Sequence, residues 1–168
     1  MSGRSNKVDT ISINAKEIVL ILKQSGKRIC FAESCTGGMI TASVTDIEGS
    51  SAVFSRGFIT YSNKAKMNML GVKSETLNLY GAVSGQTVAE MASGAITASE
   101  DEADYAVAVS GIAGPEGGTK EKPVGLVYIC VLKKGEVGQV SRYVSDGNRH
   151  TIRTQTVKKA LENIRKLL

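Results

Sequence analysis

Tryptophan is absent from this 168-residue chain, and phenylalanine occurs only three times. Proteins that hold single-stranded nucleic acid stack bases on aromatic faces, so the scarcity argues against that class. There is one histidine, His150, which leaves a serine-histidine-acid triad with a single possible base. The three cysteines, Cys30, Cys35 and Cys130, form an odd set without metal-ligand spacing. No apolar signal segment precedes them in Met-Ser-Gly-Arg-Ser-Asn-Lys, so neither a disulfide framework nor a zinc site is expected. No metal and no cofactor are assigned. Long hydrophobic runs are also missing: nothing approaches the ~20 apolar residues of a membrane span. The expectation is a reduced, soluble, cytoplasmic protein without a membrane partner.

What is present is ordinary globular composition, 42% hydrophobic and 22% charged, which excludes a disordered or fibrous chain. A chain of this length buries roughly two-thirds of the surface that its unfolded form exposes, enough for one sizeable core. Basic residues outnumber acidic ones by 21 to 16, a net charge of +5 that favours a small anionic ligand. The basic residues are scattered except near the end (Arg149, Arg153, Lys158, Lys159, Arg165, Lys166), where they suit a solvated helix face better than a nucleic-acid stripe. Residues 1–10 read as a flexible polar arm, and residues 11–168 as one domain without a linker or repeat.

Within that domain, Ile11, Ala15, Ile18, Val19 and Leu22 recur at helical spacing up to Gly26. Arg28 to Glu33 is a short buried strand, followed by a Thr-Gly-Gly turn and a helix over Met39 to Thr45. Val53 to Tyr61 is rich in strand formers, whereas Lys64 to Leu70 and Gly85 to Ser99 carry helical patterns. Tyr105 to Val109 is a nearly all-apolar strand running into a Gly-rich loop, Gly111 to Gly118. Val124 to Leu132 and Val137 to Val144 flank Lys133-Lys134-Gly135-Glu136 as an antiparallel hairpin, and Thr151 to Leu168 forms a last helix. Strands alternating with helices and closing on a hairpin predict an α/β protein, a three-layer α/β/α sandwich with a mixed β-sheet.

Three stretches carry chemistry. In Ala32-Glu33-Ser34-Cys35-Thr36-Gly37-Gly38, a hydroxyl stands at the carboxyl end of a buried strand, just before a helix. Ligands of open α/β sheets gather there, and the amides from Thr36 to Gly38 are placed to bind an oxyanion. Ser34 or Thr36 would serve equally well as the helix N-cap. A nucleophilic serine needs a proton acceptor, either His150 or a lysine of Tyr61-Ser62-Asn63-Lys64-Ala65-Lys66. An exposed lysine titrates near ~10.4, so a lysine base needs its pKa lowered, which burial and a neighbouring cation can supply, with Arg149 as a candidate for that cation. Ser62 and Lys66, four apart, also suit a local helical pair without catalytic role. The loop from Ser110 to Gly118 can present amides to an anion, though it matches neither a P-loop nor a dinucleotide fingerprint and equally suits a plain surface loop. Cys35 ranks below Ser34, because small buried cysteines mostly pack.

Taken with Gly57-Phe58-Ile59-Thr60-Tyr61-Ser62-Asn63, Gly81-Ala82-Val83-Ser84, Ser110-Gly111-Ile112-Ala113-Gly114-Pro115 and Lys122-Pro123-Val124-Gly125, the Ser34 block resembles the PncC/CinA carboxy-terminal-domain family over roughly residues 11–167. The five blocks follow in the family's order, and the chain resembles its stand-alone form. The resemblance implies a nicotinamide-nucleotide amidohydrolase of pyridine nucleotide recycling. Such an enzyme converts nicotinamide mononucleotide to nicotinic acid mononucleotide and ammonia. It further implies Ser34 as nucleophile, Lys66 as base and Tyr61 as a site tyrosine that relays or positions the proton. Thr36, Gly37 and Gly38 then face the reacting carbonyl, while Gly111, Gly114 and Arg149 face the phosphate. Lys64 stands where the family often has an acid, and Gly147-Asn148-Arg149 replaces a Gly-Asp-Arg pattern, which leaves the orientation of Arg149 open. A homo-oligomer acting on a small molecule is expected, with no nucleic acid. A non-catalytic nucleotide-binding or interaction module of the same fold, or a DNA-associated competence protein, are the alternatives.

Overall fold

The computed structural model describes residues 9–100 and 102–168. Of the polar arm over residues 1–10, only Asp9 and Thr10 are among them. Asp9 accepts from the Ile11 amide at 3.1 Å and so caps helix α1 (Thr10–Ser25), which Gly26 ends in the left-handed conformation. The buried stripe of Ala15, Ile18, Val19 and Leu22 is the predicted one. Strand β1 (Ile29–Glu33) and helix α2 (Met39–Thr45) follow, then a single 3₁₀ turn at Ser50–Ala52 and strand β2 (Phe54–Ile59). Three helices come next: α3 (Asn63–Leu70), α4 (Ser74–Tyr80) and α5 (Gly85–Ala98). Strands β3 (Tyr105–Gly111), β4 (Leu126–Lys133) and β5 (Gln139–Val144) precede helix α6 (Arg149–Leu167). Helix α4 and the 3₁₀ turn are not in the sequence reading, and β3 runs two residues further, to Gly111. No helix among the described residues is long and apolar enough to cross a membrane.

The five strands form one sheet in the order β2-β1-β3-β4-β5, parallel across β2, β1 and β3 and antiparallel from β3 through β5, which makes the sheet mixed as predicted. The two-residue period of a strand then sorts the side chains onto two faces. Phe31, Val107, Val109, Val127, Ile129 and Val131 face one layer, with Ile18 and Leu22 of α1, Ile40 of α2 and Ile152, Leu161 and Ile164 of α6. Their neighbours Cys30, Ala32, Ala106, Ala108 and Cys130 face the other layer, with Leu70 of α3, Leu77 of α4 and Val88, Met91 and Ala95 of α5. Small residues on that face let α5 lie close to the sheet. Both faces of β1 are covered, and all five of its residues are buried, as in the interior of a doubly covered sheet.

Close approach is most severe between α3 and α5. A Cβ added at Gly94 would meet the carbonyl oxygen of Leu70 at 1.8 Å, against backbone that has no freedom to give. Gly94→Ala is therefore expected to cost at least the ~1–3 kcal/mol typical of overpacking. It should lower the urea midpoint without changing the slope. An unaltered midpoint would mean that the two helices do not approach in this way.

The parallel strands β2, β1 and β3 end together, with Glu33 in register with both Ile59 and Val109. The ladder continues one residue further: the Ser34 amide donates to Val109 O at 3.2 Å and the Thr60 amide to Glu33 O at 2.8 Å. From here the chain leaves β1 toward β2 and leaves β3 toward β4. A crevice at the carboxyl ends of such strands is where ligands of open α/β sheets bind.

Candidate active site

Ser34 is the first residue past β1 and is 7% exposed. Its Oγ lies 3.1 Å from Nζ of Lys66, a side chain brought in from α3 and 1% exposed. Helix α3 starts where it does because Ser62 Oγ accepts from the Ala65 amide at 3.0 Å, so Ser62 is a cap and is committed to the helix. That start places Lys66 on the helix's inward face. Its amine has two further partners, the carbonyl oxygens of Thr60 at 2.8 Å and Tyr61 at 3.4 Å.

The partners dictate what a neutral amine does in this place. Two carbonyl oxygens can only accept, so they take the two N–H groups. The remaining lone pair faces Ser34 Oγ, which alone of the three partners carries a proton. Burial lowers the Lys66 pKa below its ordinary value of 10.5, and the neighbouring Cys35 acts in the opposite direction. Burial is the lowering influence, and Arg149, the candidate cation, is not among the causes. Burial also pushes the Cys35 thiol up to about 11, so Cys35 stays protonated and packs.

The segment between Ser34 and α2 is held from both sides by residues that sequence reasoning missed. Glu33, 1% exposed, turns its carboxylate onto the start of α2. It accepts from the Thr36 hydroxyl at 2.6 Å, from the amides of Gly38, Ile40 and Thr41, and from the Thr41 hydroxyl at 2.8 Å. A helix N-terminus stabilises such an anion without a counter-cation. Opposite, Arg153 of α6 donates through Nε to Cys35 O and through Nη2 to Thr36 O, both at 3.0 Å. The Gly37 amide is engaged as well, donating to Ser34 O at 3.1 Å.

These bonds occupy several groups at the start of α2. The Thr36 hydroxyl and the Gly38 amide serve the Glu33 carboxylate, and the Gly37 amide serves Ser34 O. The amides of Cys35 and Thr36 have no hydrogen-bond partner among the described residues, and they are the ones next to Ser34. A charged residue ending an otherwise apolar strand, followed by a helix, was the signal that could have pointed to Glu33.

Ser34, Tyr61, Lys66, Gly111 and Arg149 line one cavity of about 180 Å³ together with Ala82, Val83 and Ser110. Gly111 admits the neighbouring chain: a Cβ there would lie 2.6 Å from Val127 and 3.2 Å from Cys35 Sγ. The Arg149 guanidinium donates to Gly114 O at 2.7 Å and to the Tyr61 hydroxyl at 2.9 Å. Tyr61 is 61% exposed at the rim, and it is its carbonyl, not its hydroxyl, that touches Lys66. Gly114 contributes a carbonyl oxygen to this rim, and Arg149 makes no ion pair among the described residues. Asn148 caps α6 by accepting from the Thr151 amide at 2.9 Å, so the orientation of Arg149 rests on Gly114 and Tyr61 instead. His150 and Lys64 are exposed and do not line the cavity. Among the described residues, no group of three or more His, Cys, Asp or Glu is arranged to hold a metal ion.

The family model of the CinA C-terminal domain matches residues 12–168. Among similar proteins, nicotinamide-nucleotide amidohydrolase PncC of Escherichia coli K12 is 47% identical over 150 residues, 89% of this chain and 90% of that protein. A CinA-like protein of Endomicrobium trichonymphae is 49% identical over 95% of this chain, which spans only 36% of that longer protein. The crystal structure of competence/damage inducible protein CihA from Agrobacterium tumefaciens has a TM-score of 0.88 at 45% identity and covers 99% of both chains. A CinA superfamily structure from Escherichia coli has a TM-score of 0.90 at 33% identity, over 98% of this chain and 94% of that one.

Proposed function

Because the chain belongs to the CinA C-terminal domain family, we propose that it hydrolyses the carboxamide of nicotinamide mononucleotide, as the name of its relative PncC describes. The observation that carries this reading is the contact of Ser34 Oγ with Lys66 Nζ at 3.1 Å, on an amine whose other partners are carbonyl oxygens. Ser34 attacks the carboxamide carbon and its proton passes to Lys66. The amides of Cys35 and Thr36 receive the oxyanion. Lys66 returns the proton to the departing ammonia, and a nicotinoyl ester remains on Ser34. Water activated by the same amine then releases nicotinic acid mononucleotide.

Size and charge suggest how the nucleotide sits. Sites that enclose a drug-sized ligand run to ~300–1,000 Å³. The cavity here, at about 180 Å³, takes a pyridine carboxamide and leaves the ribose phosphate at the mouth. Arg149 stands there with its charge unpaired among the described residues, and a guanidinium is well matched to phosphate. The three buried cysteines, none of them paired, fit a reducing compartment and so a cytoplasmic enzyme.

Ammonia release from nicotinamide mononucleotide and from free nicotinamide tests the reading. The nucleotide should have the higher kcat/KM, by about 100-fold or more, because phosphate binding orients the amide. Equal values would remove the anchor, and no release from either would remove the amidase. Arg149→Ala should raise KM for the nucleotide about tenfold and leave free nicotinamide unaffected. Unchanged nucleotide kinetics would return Arg149 to a structural role at the rim.

A further inference from the structure

We infer that Arg153 is a positioning residue of this reaction, acting on the oxyanion through the peptide bond between Cys35 and Thr36. The inference rests on the amidase reading above. In a planar trans peptide, the N–H points opposite to the C=O of the same unit. The Cys35 carbonyl accepts from Arg153 Nε at 3.0 Å, and the N–H at the other end of that unit belongs to Thr36. Arg153 therefore fixes the plane in which the Thr36 amide can donate. A cation on the carbonyl oxygen also draws electron density through the amide, which makes its N–H a stronger donor.

The neighbouring amides explain why Thr36 matters. Gly37 donates to Ser34 O, and Gly38, Ile40 and Thr41 donate to Glu33. The donors of the helix start are thus spent on holding the segment, and the amides of Cys35, which lines the cavity, and Thr36 are the ones without a protein acceptor among the described residues. Arg153 grips both carbonyls that follow the nucleophile, Cys35 O and Thr36 O, from a single planar fork. Arg153 also sits one helical turn beyond Arg149 on α6, so one helix face serves the rim and the nucleophile segment together. The division of labour follows: Arg149 acts on binding and Arg153 on chemistry.

The test compares wild type with Arg153→Ala and Arg153→Lys, measuring ammonia release from nicotinamide mononucleotide and the affinity for nicotinic acid mononucleotide by calorimetry. A donor held only for the transition state shows itself in kcat alone. Arg153→Ala should lower kcat on the order of 100-fold, with product affinity within about twofold of wild type. Should Arg153→Ala fail to fold in a thermal melt, Arg153→Lys decides, since its ammonium reaches one carbonyl without the fork and should lower kcat about tenfold at unchanged product affinity. A kcat within about threefold of wild type in the folded variants, or a product affinity that falls as far as kcat, overturns the inference and leaves the amidase reading standing. Wild-type protein without turnover overturns both.

Discussion

Ser34→Ala is expected to lower the turnover of nicotinamide mononucleotide by on the order of 10⁴-fold or more while leaving the fold and product binding intact, as when other serine hydrolases lose their nucleophile. The reason lies in how little else the hydroxyl does. Its one described side-chain contact is with Lys66, and Lys66 keeps the carbonyl oxygens of Thr60 and Tyr61 when Ser34 Oγ is gone. Nothing in the core is unpacked, and Arg149 stays on Gly114 and Tyr61. Ammonia release and calorimetric product affinity, measured on one preparation, separate chemistry from binding. Near-normal turnover would exclude the covalent serine mechanism. Ser62 is no substitute, because its hydroxyl is the cap of α3, so a directly activated water would be the remaining route.

Lys66→Met should be nearly as damaging, lowering kcat on the order of 10³-fold or more, since the side chain keeps its length but loses the lone pair facing Ser34. His150→Ala and Lys64→Ala, both changes at exposed positions outside the cavity, should stay close to wild type. If His150→Ala were the more harmful change, the serine-lysine assignment would be wrong. The same amine sets two pH dependences. Wild-type kcat/KM should rise with pH as Lys66 loses its proton, with an apparent pKa below 10.5, and this limb should be absent from the residual activity of Lys66→Met. Stability has the same sign: between the lowered folded pKa and the ordinary value of 10.5, the unfolded chain binds more protons, so wild-type stability rises with pH across that window. Lys66→Met should remove this contribution to the slope in urea titrations at several pH values.

Elements whose character is local were legible in the sequence. β1 before Glu33 and the core of β3 read as apolar runs because a strand covered on both faces has no solvent-facing side to show. Helix α2 begins at Met39, where two glycines with positive φ end the turn, as the Thr-Gly-Gly signal indicates. Helix α4 was not legible. Its seven residues bury only Thr76 and Leu77, leave Leu79 75% exposed and have no side-chain cap at Lys73, so they give no helical stripe.

The site divides in the same way. Ser34 could be proposed as nucleophile from its place between strand and helix, whereas Lys66 could be singled out as the proposed base only through the family resemblance, because its burial is a property of the packed fold. Glu33, Arg153 and Lys122 act through backbone groups distant in sequence or engaged only once α2 has formed. Lys122, for instance, donates to Val83 O at 2.8 Å and ties the loop after β3 to the cavity wall. No spacing rule reports such contacts.

The central claim is that Ser34 carries the acyl group, and the most direct test is intact-mass analysis of wild-type protein quenched with acid during turnover of nicotinamide mononucleotide, followed by peptide mapping. The account predicts an adduct equal to the substrate less ammonia, located on the peptide containing Ser34 and missing from Ser34→Ala. Turnover at full rate with no adduct in either protein, or an adduct on another residue, would contradict it.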